Sequence, residues 1–427
     1  MKAKNTIIHP FWLGKRTFKT QISEVSSKPP IFYKDKMKNS RVESIDLLRG
    51  LVMVIMALDH TRDYFYLGSL VSDPTNLGTT TPILFFTRFI THFCAPVFVF
   101  LAGTSAFLYG SKYTTTKLFK FLFSRGIWLI LLELVLINFL WFFDTTYGFI
   151  HLQVIWAIGF SMICLSILVY LPKKVLLAIG IILVAGHNLL DGIHMEGNSL
   201  KSVLWYLLHQ ESFIPLGESR MIGIHYPVLP WIGVMVLGYC FGIFYEKGFN
   251  VSIRKIWLIR IGVGATLIFF VLRGINNYGD LVPWSQQKNI TYTILSFLNV
   301  TKYPPSLAFL LITLGPSMLF LFATDNIKNK LTNFFVVFGR VPLFYYFLHI
   351  LIIHLTAMLV LIITGGNWKD MILNNQIFET DRLATYGYSL WVVYLIWICI
   401  LLLIYPLCKW YMKYKYNNRD KWWLSYL

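Results

Sequence analysis

From Ser44 onward the chain alternates long apolar runs with short polar connections, and each run approaches the length of about 20 residues that crosses a bilayer. Ten runs are read as membrane spans: 44–67, 82–110, 118–143, 150–171, 174–190, 226–245, 256–275, 304–323, 340–364 and 386–408. The fifth is short and the seventh begins raggedly at Ile256. Composition agrees, because only 14% of the 427 residues are charged while 56% are hydrophobic. A soluble chain carries about a quarter charged residues, so this one has too little polar surface to coat a globule in water. The expected class is all-α: a polytopic helix bundle in the membrane.

Charge position sets the expected topology. Residues 1–43 hold ten Lys or Arg and no long apolar run, which reads as a basic cytoplasmic tail, disordered or interfacial, rather than a cleavable signal. With that tail inside, each later inner connection is basic (Lys112, Lys117, Lys120; Lys173, Lys174; Lys247, Arg254, Lys255; Lys328, Lys330), and so is the 411–427 tail. The alternate connections 68–81 and 144–149 hold no cation, and 365–385 holds two cations against three acids. The positive-inside rule therefore places both termini in the cytoplasm, with the membrane domain over 44–410. The formal charge of +18 falls on these tails and loops without any nucleic-acid motif, so nucleic acid is not an expected partner. Two outer loops, 191–225 and 276–303, are longer than a connection requires and are read as covering a site. The five cysteines lie in apolar runs with no ligand spacing, so neither a disulfide framework nor a metal site is expected.

Ionisable residues inside spans carry the functional signal, since each costs a few kcal/mol to insert. The first span holds Asp46, Arg49 and Gly50, eight apolar residues, then Asp59, His60, Arg62 and Asp63. At 100° per residue Asp46, Arg49, Gly50, Met53, Ala57, His60 and Tyr64 share one stripe, with Arg49 and His60 about 16 Å apart along the axis. Gly50 and Ala57 leave room beside that stripe for a neighbouring helix or a ligand arm. Asp46 and Arg49, one turn apart, also fit a local ion pair. Asp59 lies about 100° from His60 and is not automatically its partner. Arg62 and Asp63 are read as interfacial, where snorkelling suffices.

The second span brings Arg88 and His92 to the depth of His60, ahead of a kink at Pro96. His151, His187, His194 and His225 fall at outer ends or in outer loops; together with His60 and His92 they could form a proton-handling or sugar-handling vestibule, but most are read as interfacial. On the inner side Arg340 opens the ninth span. His349, further in, is read as a hydrogen-bonded core histidine. Tyr303-Pro304-Pro305-Ser306 is read as the first turn of the eighth helix.

These residues resemble a known family. Arg41-Val-Glu-Ser-Ile-Asp46-Leu-Leu-Arg49-Gly50 leading to Asp59-His60 is similar to the signature of the heparan-α-glucosaminide N-acetyltransferase catalytic-domain family. Pro96-Val-Phe-Val-Phe-Leu-Ala-Gly103-Thr-Ser105, His225-Tyr-Pro-Val-Leu-Pro230-Trp231-Ile-Gly233 and Gly339-Arg340-Val-Pro342-Leu-Phe-Tyr-Tyr346 continue the likeness. The Arg–His spacing on the first helix also resembles membrane O-acyltransferases that decorate bacterial polysaccharides. The resemblance implies a transmembrane acyltransferase of the bacterial inner (plasma) membrane, embedded in lipid and homodimeric or monomeric. It would move an acyl group from cytoplasmic acetyl-CoA or another acyl-CoA, a co-substrate and not a bound cofactor, to a carbohydrate or glycolipid acceptor outside. Asp46, Arg49 and Arg340 would hold acyl-CoA, His60 with Asp59 would be catalytic, His60 as general base or transient acyl carrier, and Arg88 with His92 would orient the substrate or its oxyanion. The chain departs from the lysosomal enzyme, whose active-site His lies beyond an Asn-Tyr-Gly-Gly stretch; here that position falls in the 68–76 loop, which has no His. Glucosamine specificity is therefore not implied. The rival reading is a proton-coupled transporter or flippase gated by Asp59, His60 and Arg88.

Overall fold

The computed structural model describes residues 42–69, 72–374, 383 and 386–425; the basic tail read over 1–43 lies outside them except for Val42 and Glu43. In chain order its helices are α1 (Glu43–Phe65), α2 (Pro82–Thr91), α3 (Cys94–Gly110), α4 (Thr115–Leu132), α5 (Asn138–Phe142), α6 (Val154–Leu168), α7 (Lys173–Gly186) and α8 (Leu200–Leu208). They continue with α9 (Val228–Phe241), α10 (Val251–Ile275), α11 (Ile290–Leu298), α12 (Leu307–Thr324), α13 (Lys330–Gly339), α14 (Pro342–Ile363) and α15 (Leu390–Asn417). Among the described residues, eight helical segments are long and apolar enough to cross a membrane. The other two of the ten sequence runs fall short for different reasons: α1 carries six charged residues, and α6 has only 15 residues.

Several boundaries differ from the sequence reading. The run at 150–171 opens as a strand, β1 (Phe149–Leu152), which pairs in parallel with β3 (Arg220–Ile224); β3 in turn pairs antiparallel with β2 (Ser212–Leu216). A short apolar run carries no period that separates a strand from a helix start, so the all-α expectation misses this small sheet. The seventh span, α10, begins at Val251 because Asn250 caps it, accepting from the Ser252 and Ile253 amides. Arg254 and Lys255 are therefore helical, and Arg254 holds both carboxylate oxygens of Asp325 at 2.8 and 2.7 Å. Pro304 and Pro305 precede the cap of α12 at Ser306 instead of filling its first turn. α13, too short for a span, escapes a search for long apolar runs, and α15 continues to Asn417, into the expected 411–427 tail.

The second span breaks where expected. α2 ends at Thr91 and α3 restarts at Cys94, and Pro96 in the first turn of α3 has no N–H to continue the ladder. The 276–303 connection is tied down by Arg273, at the end of α10. Its guanidinium donates to the carbonyls of Ser296, Phe297 and Asn299, which close α11.

Lipid supplies no hydrophobic drive between helices, so association depends on close packing of small residues. Here glycines meet across helix pairs. A β-carbon on Gly50 of α1 would sit 1.8 Å from the Phe335 carbonyl oxygen of α13, and one on Gly339 would sit 1.9 Å from the Asp46 carbonyl. α3 and α9 repeat this, with Gly103 facing the Met235 carbonyl at 2.0 Å and Gly238 facing that of Phe100 at 2.1 Å. α4 and α6 meet at Gly126 and Gly159. The space beside Gly50, open on sequence grounds to a helix or a ligand arm, is filled by a helix. α1 and α9 form the interior, with Ala57, Trp231, Val234, Met235 and Val236 inaccessible. α10 and α15 turn Leu267, Val271, Leu395 and Leu402 outward.

Adding one methyl at Gly238 pushes against backbone, so Gly238→Ala should destabilise the bundle by about 1–3 kcal/mol or more in detergent unfolding. Gly264, on α10 with no atom near its would-be β-carbon, is the control: Gly264→Ala should leave the midpoint unchanged or slightly raised. Equal effects of the two would refute the backbone-contact account.

Candidate active site

The helix end of α1, the α4–α5 junction, the sheet and the 302–303 segment enclose a cavity of about 390 Å³. Its wall includes Asp59, His60, Arg88, Trp141, His151, Gln153, His225, Lys302, Tyr303 and Tyr346. Asp59, His60 and Arg88 are the three that the sequence reading names as candidate site residues. His151, His225, Tyr303 and Tyr346 were noted in the sequence for other reasons, while Trp141, Gln153 and Lys302 carry no local mark.

His60 is the best-defined group. Its Nδ1 lies 2.8 Å from Nε2 of His349, and the two rings stack with centroids 5.0 Å apart. His349 Nδ1 is 2.9 Å from the carbonyl of Tyr345. A carbonyl only accepts, so His349 carries its proton on Nδ1 and its Nε2 accepts from His60 Nδ1–H. That leaves the lone pair of His60 on Nε2, in a ring that lines the cavity and packs edge-on to Trp141 at 4.7 Å. His349 is hydrogen-bonded in the core as the sequence reading has it, but it also sets the tautomer of His60.

Asp59 belongs to a different network. Its Oδ2 accepts from Arg88 at 2.6 Å, and its Oδ1 lies 2.8 Å from Arg62 and 2.9 Å from the Thr91 hydroxyl. Arg62 is 2% exposed and also holds Asp63 at 2.6 Å, so it is a buried ion-pair member and not the interfacial residue expected. A carboxylate in the bundle interior needs such a set of partners. His92 does not join the cavity wall. It packs against Phe309 at 5.3 Å, 3% exposed, with no hydrogen-bond partner for its Nδ1 among the described residues. Pro96 and the break after Thr91 separate its direction from that of Arg88.

A second imidazole pair faces the same cavity. Gln153 lies 2.9 Å from His151 Nδ1, His151 Nε2 lies 2.5 Å from His225 Nδ1, and His225 Nε2 lies 3.5 Å from a Glu211 oxygen. The sheet makes this pair: the β1–β3 register sets His151 opposite Gly223, two residues before His225. A π-helical turn at Glu133–Ile137 supports it from below, a feature often found at functional sites. Asn138, just after that turn, accepts from the His151 amide at 2.6 Å, and Glu133 accepts from the Gln153 amide at 3.1 Å. These histidines, read as interfacial, are cavity residues. They sit 74 positions apart, and only strand pairing reveals the relation. His225 is lowered to about 4 by burial and then by Lys302. Burial, followed by Asp73 and against Lys302, raises Glu211 to about 7.

The other end of α1 carries the second predicted group. Asp46, 3% exposed, lies 3.2 Å from Arg49 and 3.3 Å from Arg340, while Arg49 also donates to the Ser105 hydroxyl at 3.0 Å. Glu43 pairs with Lys328 at 2.7 Å and approaches Arg340 at 3.8 Å. The structure joins Asp46 and Arg49 as a local ion pair and adds Arg340, which the α13–α14 junction supplies.

Glu211 makes stability depend on pH with a defined sign. Its folded-state value of about 7 stands above the ordinary 4.5, so the neutral form's stability is intact below the ordinary value and is lost as pH rises through the folded one. The Gln variant cannot ionise. The melting temperature of Glu211→Gln minus that of the parent should grow between about pH 5 and about pH 8. A difference that stays flat across this window would refute the buried-carboxyl account.

The catalytic-domain model of heparan-alpha-glucosaminide N-acetyltransferase matches residues 41–273. No curated protein matches the chain. The matched stretch contains Asp46, Arg49, Asp59, His60, Arg88, His151 and His225, whereas His349, Arg340 and Lys302 come from the remainder of the chain. Since more than half the chain is matched, this multi-pass membrane protein belongs to the heparan-alpha-glucosaminide N-acetyltransferase catalytic family, a family of transmembrane transferases.

Proposed function

We propose that the chain transfers an acyl group, acetyl by family membership, from acyl-CoA in the cytoplasm to an amine or hydroxyl acceptor at the outer face. The topology is ten membrane passages with both termini inside, in the plasma membrane of a bacterium. The observation that carries the reading is the His60–His349–Tyr345 chain, whose His60 end lines the cavity while the other two lie in the core behind it. An acceptor must lose a proton as it attacks a thioester carbonyl, and His60 Nε2 is oriented to take it. The acceptor's N–C or O–C bond forms, the C–S bond breaks, and CoA leaves as the thiol once its sulfur regains a proton. His349 holds the ring and shares the charge that His60 acquires. Arg88, fixed by Asp59, stands at the same wall to stabilise the developing oxyanion.

Trp141, Phe142, Phe149 and Phe213 line the cavity beside the polar groups, a mixture that suits a sugar ring better than a charged metabolite. Arg49 and Arg340, about 16 Å along α1 from His60, are the proposed contacts for the phosphates of acyl-CoA. The distance between the two groups favours a donor spanning the membrane over the midplane gate of a transporter.

His60→Ala should fold, bind acyl-CoA and lose about 10²- to 10⁴-fold in transfer rate. His349→Asn should keep part of the rate, because the base remains while its tautomer is less well set. Near-normal transfer by His60→Ala would overturn the assignment. Separately, Arg49→Ala and Arg340→Ala should each weaken acyl-CoA binding by about 10- to 100-fold, read by titration calorimetry. Unchanged affinity, with a melting temperature restored in the Asp46→Ala/Arg49→Ala double variant, would return these residues to a purely structural ion pair; absence of acyl-CoA binding altogether would favour transport.

A further inference from the structure

α7 ends in a short 3-10 turn, His187–Leu190, followed at once by Asp191. His209 caps the C-terminal end of α8 and leads within three residues into β2. One ligand atom from each of His187, Asp191 and His209 lies within 4.8 Å of the other two. We propose that these three residues form a binding site for a divalent cation of the zinc class, at the base of the segment that covers the cavity.

Three observations carry this. His187 is 2% exposed, and neither ring nitrogen has a hydrogen-bond partner among the described residues. An imidazole buried without partners costs free energy that a bound cation would recover. His209 is 3% exposed; its Nε2 lies 3.1 Å from Asp191 Oδ1, and its Nδ1 is likewise unpartnered. Asp191 is already oriented from behind, because Asn188 donates to its Oδ2 at 2.8 Å while accepting from the Leu307 amide at 2.9 Å. Metal sites use such outer contacts to aim their ligands.

Ligand chemistry selects the ion. Two imidazoles and one carboxylate suit zinc and its transition-metal neighbours, whereas calcium and magnesium take oxygen ligands. A tetrahedral zinc holds its ligands about 3.3 Å apart, so the three atoms need to draw together modestly, a change within reach of side-chain rotation. His187 and Asp191 stand one helical turn apart, but His209 comes eighteen residues later, which is why no ligand spacing marks the site in the sequence.

The cation would fasten α8 to the end of α7. Glu211 and Phe213 follow His209 closely, and β2 pairs with the strand that precedes His225. The site therefore controls how firmly the cover of the cavity is held, without touching the reacting groups.

The test uses the full chain in detergent, untagged, stripped with a chelator and titrated with Zn²⁺, with Co²⁺ as the spectroscopic probe. Wild-type protein should take up about one equivalent, with the intense d–d absorption of a low-coordinate Co²⁺ site and a melting temperature that rises with Zn²⁺ concentration. His187→Ala and His209→Ala should abolish all three signals. Asp191→Asn, isosteric at a part-exposed position, should weaken binding by about 10-fold or more, and it decides the matter if either histidine variant fails to fold. No saturable uptake by the wild type, or uptake unchanged in Asp191→Asn, would overturn the proposal.

Discussion

Backbone contact between α1 and α13 is the constraint on which the site depends. Gly50 and Gly339 let the two helices touch at a distance no β-carbon would allow. That contact fixes the α13–α14 junction against the start of α1, which puts Arg340 on Asp46. From Pro342, α14 then runs along α1 and delivers His349 to His60. In lipid such contacts replace the hydrophobic drive that would pack helices in water, so two glycines do the positioning that a large apolar interface does elsewhere.

Buried charge is the second organiser. Asp59 sits deep at the far end of the same helix, and two guanidiniums and a hydroxyl converge on it. Removing one partner of a buried pair costs about 3–5 kcal/mol, so this network fastens α2 to α1. It also leaves His60 free of the acid next to it in sequence. The imidazole instead bonds to an imidazole on α14, whose own proton is held by a backbone carbonyl. A neutral base oriented by a neutral partner suits the proposed transfer, in which the base takes up a proton and later gives it back.

The small sheet does for one side of the cavity what α14 does for the other. Neither β1 nor β3 is long, yet their parallel register carries His151 and His225 to one wall, and the turn at Glu133–Ile137 holds that strand in place. The proposed cation site lies at the root of the same cover, so the 191–225 segment joins the two features.

Membrane class, the position of most helices and the shared stripe of Arg49 and His60 were legible in the sequence, because each depends on the local run of apolar residues or on the turn of one helix. So was the family, whose signature lies within a single stretch of α1. The pairing of His60 with His349, 289 positions away, was not. Neither was that of His151 with His225, nor the turning of His92 away from the cavity. Those relations arise where distant elements meet, and meeting is decided by close packing and strand register. Neither leaves a local period in the chain, so only the tertiary structure could decide which of ten histidines share a site.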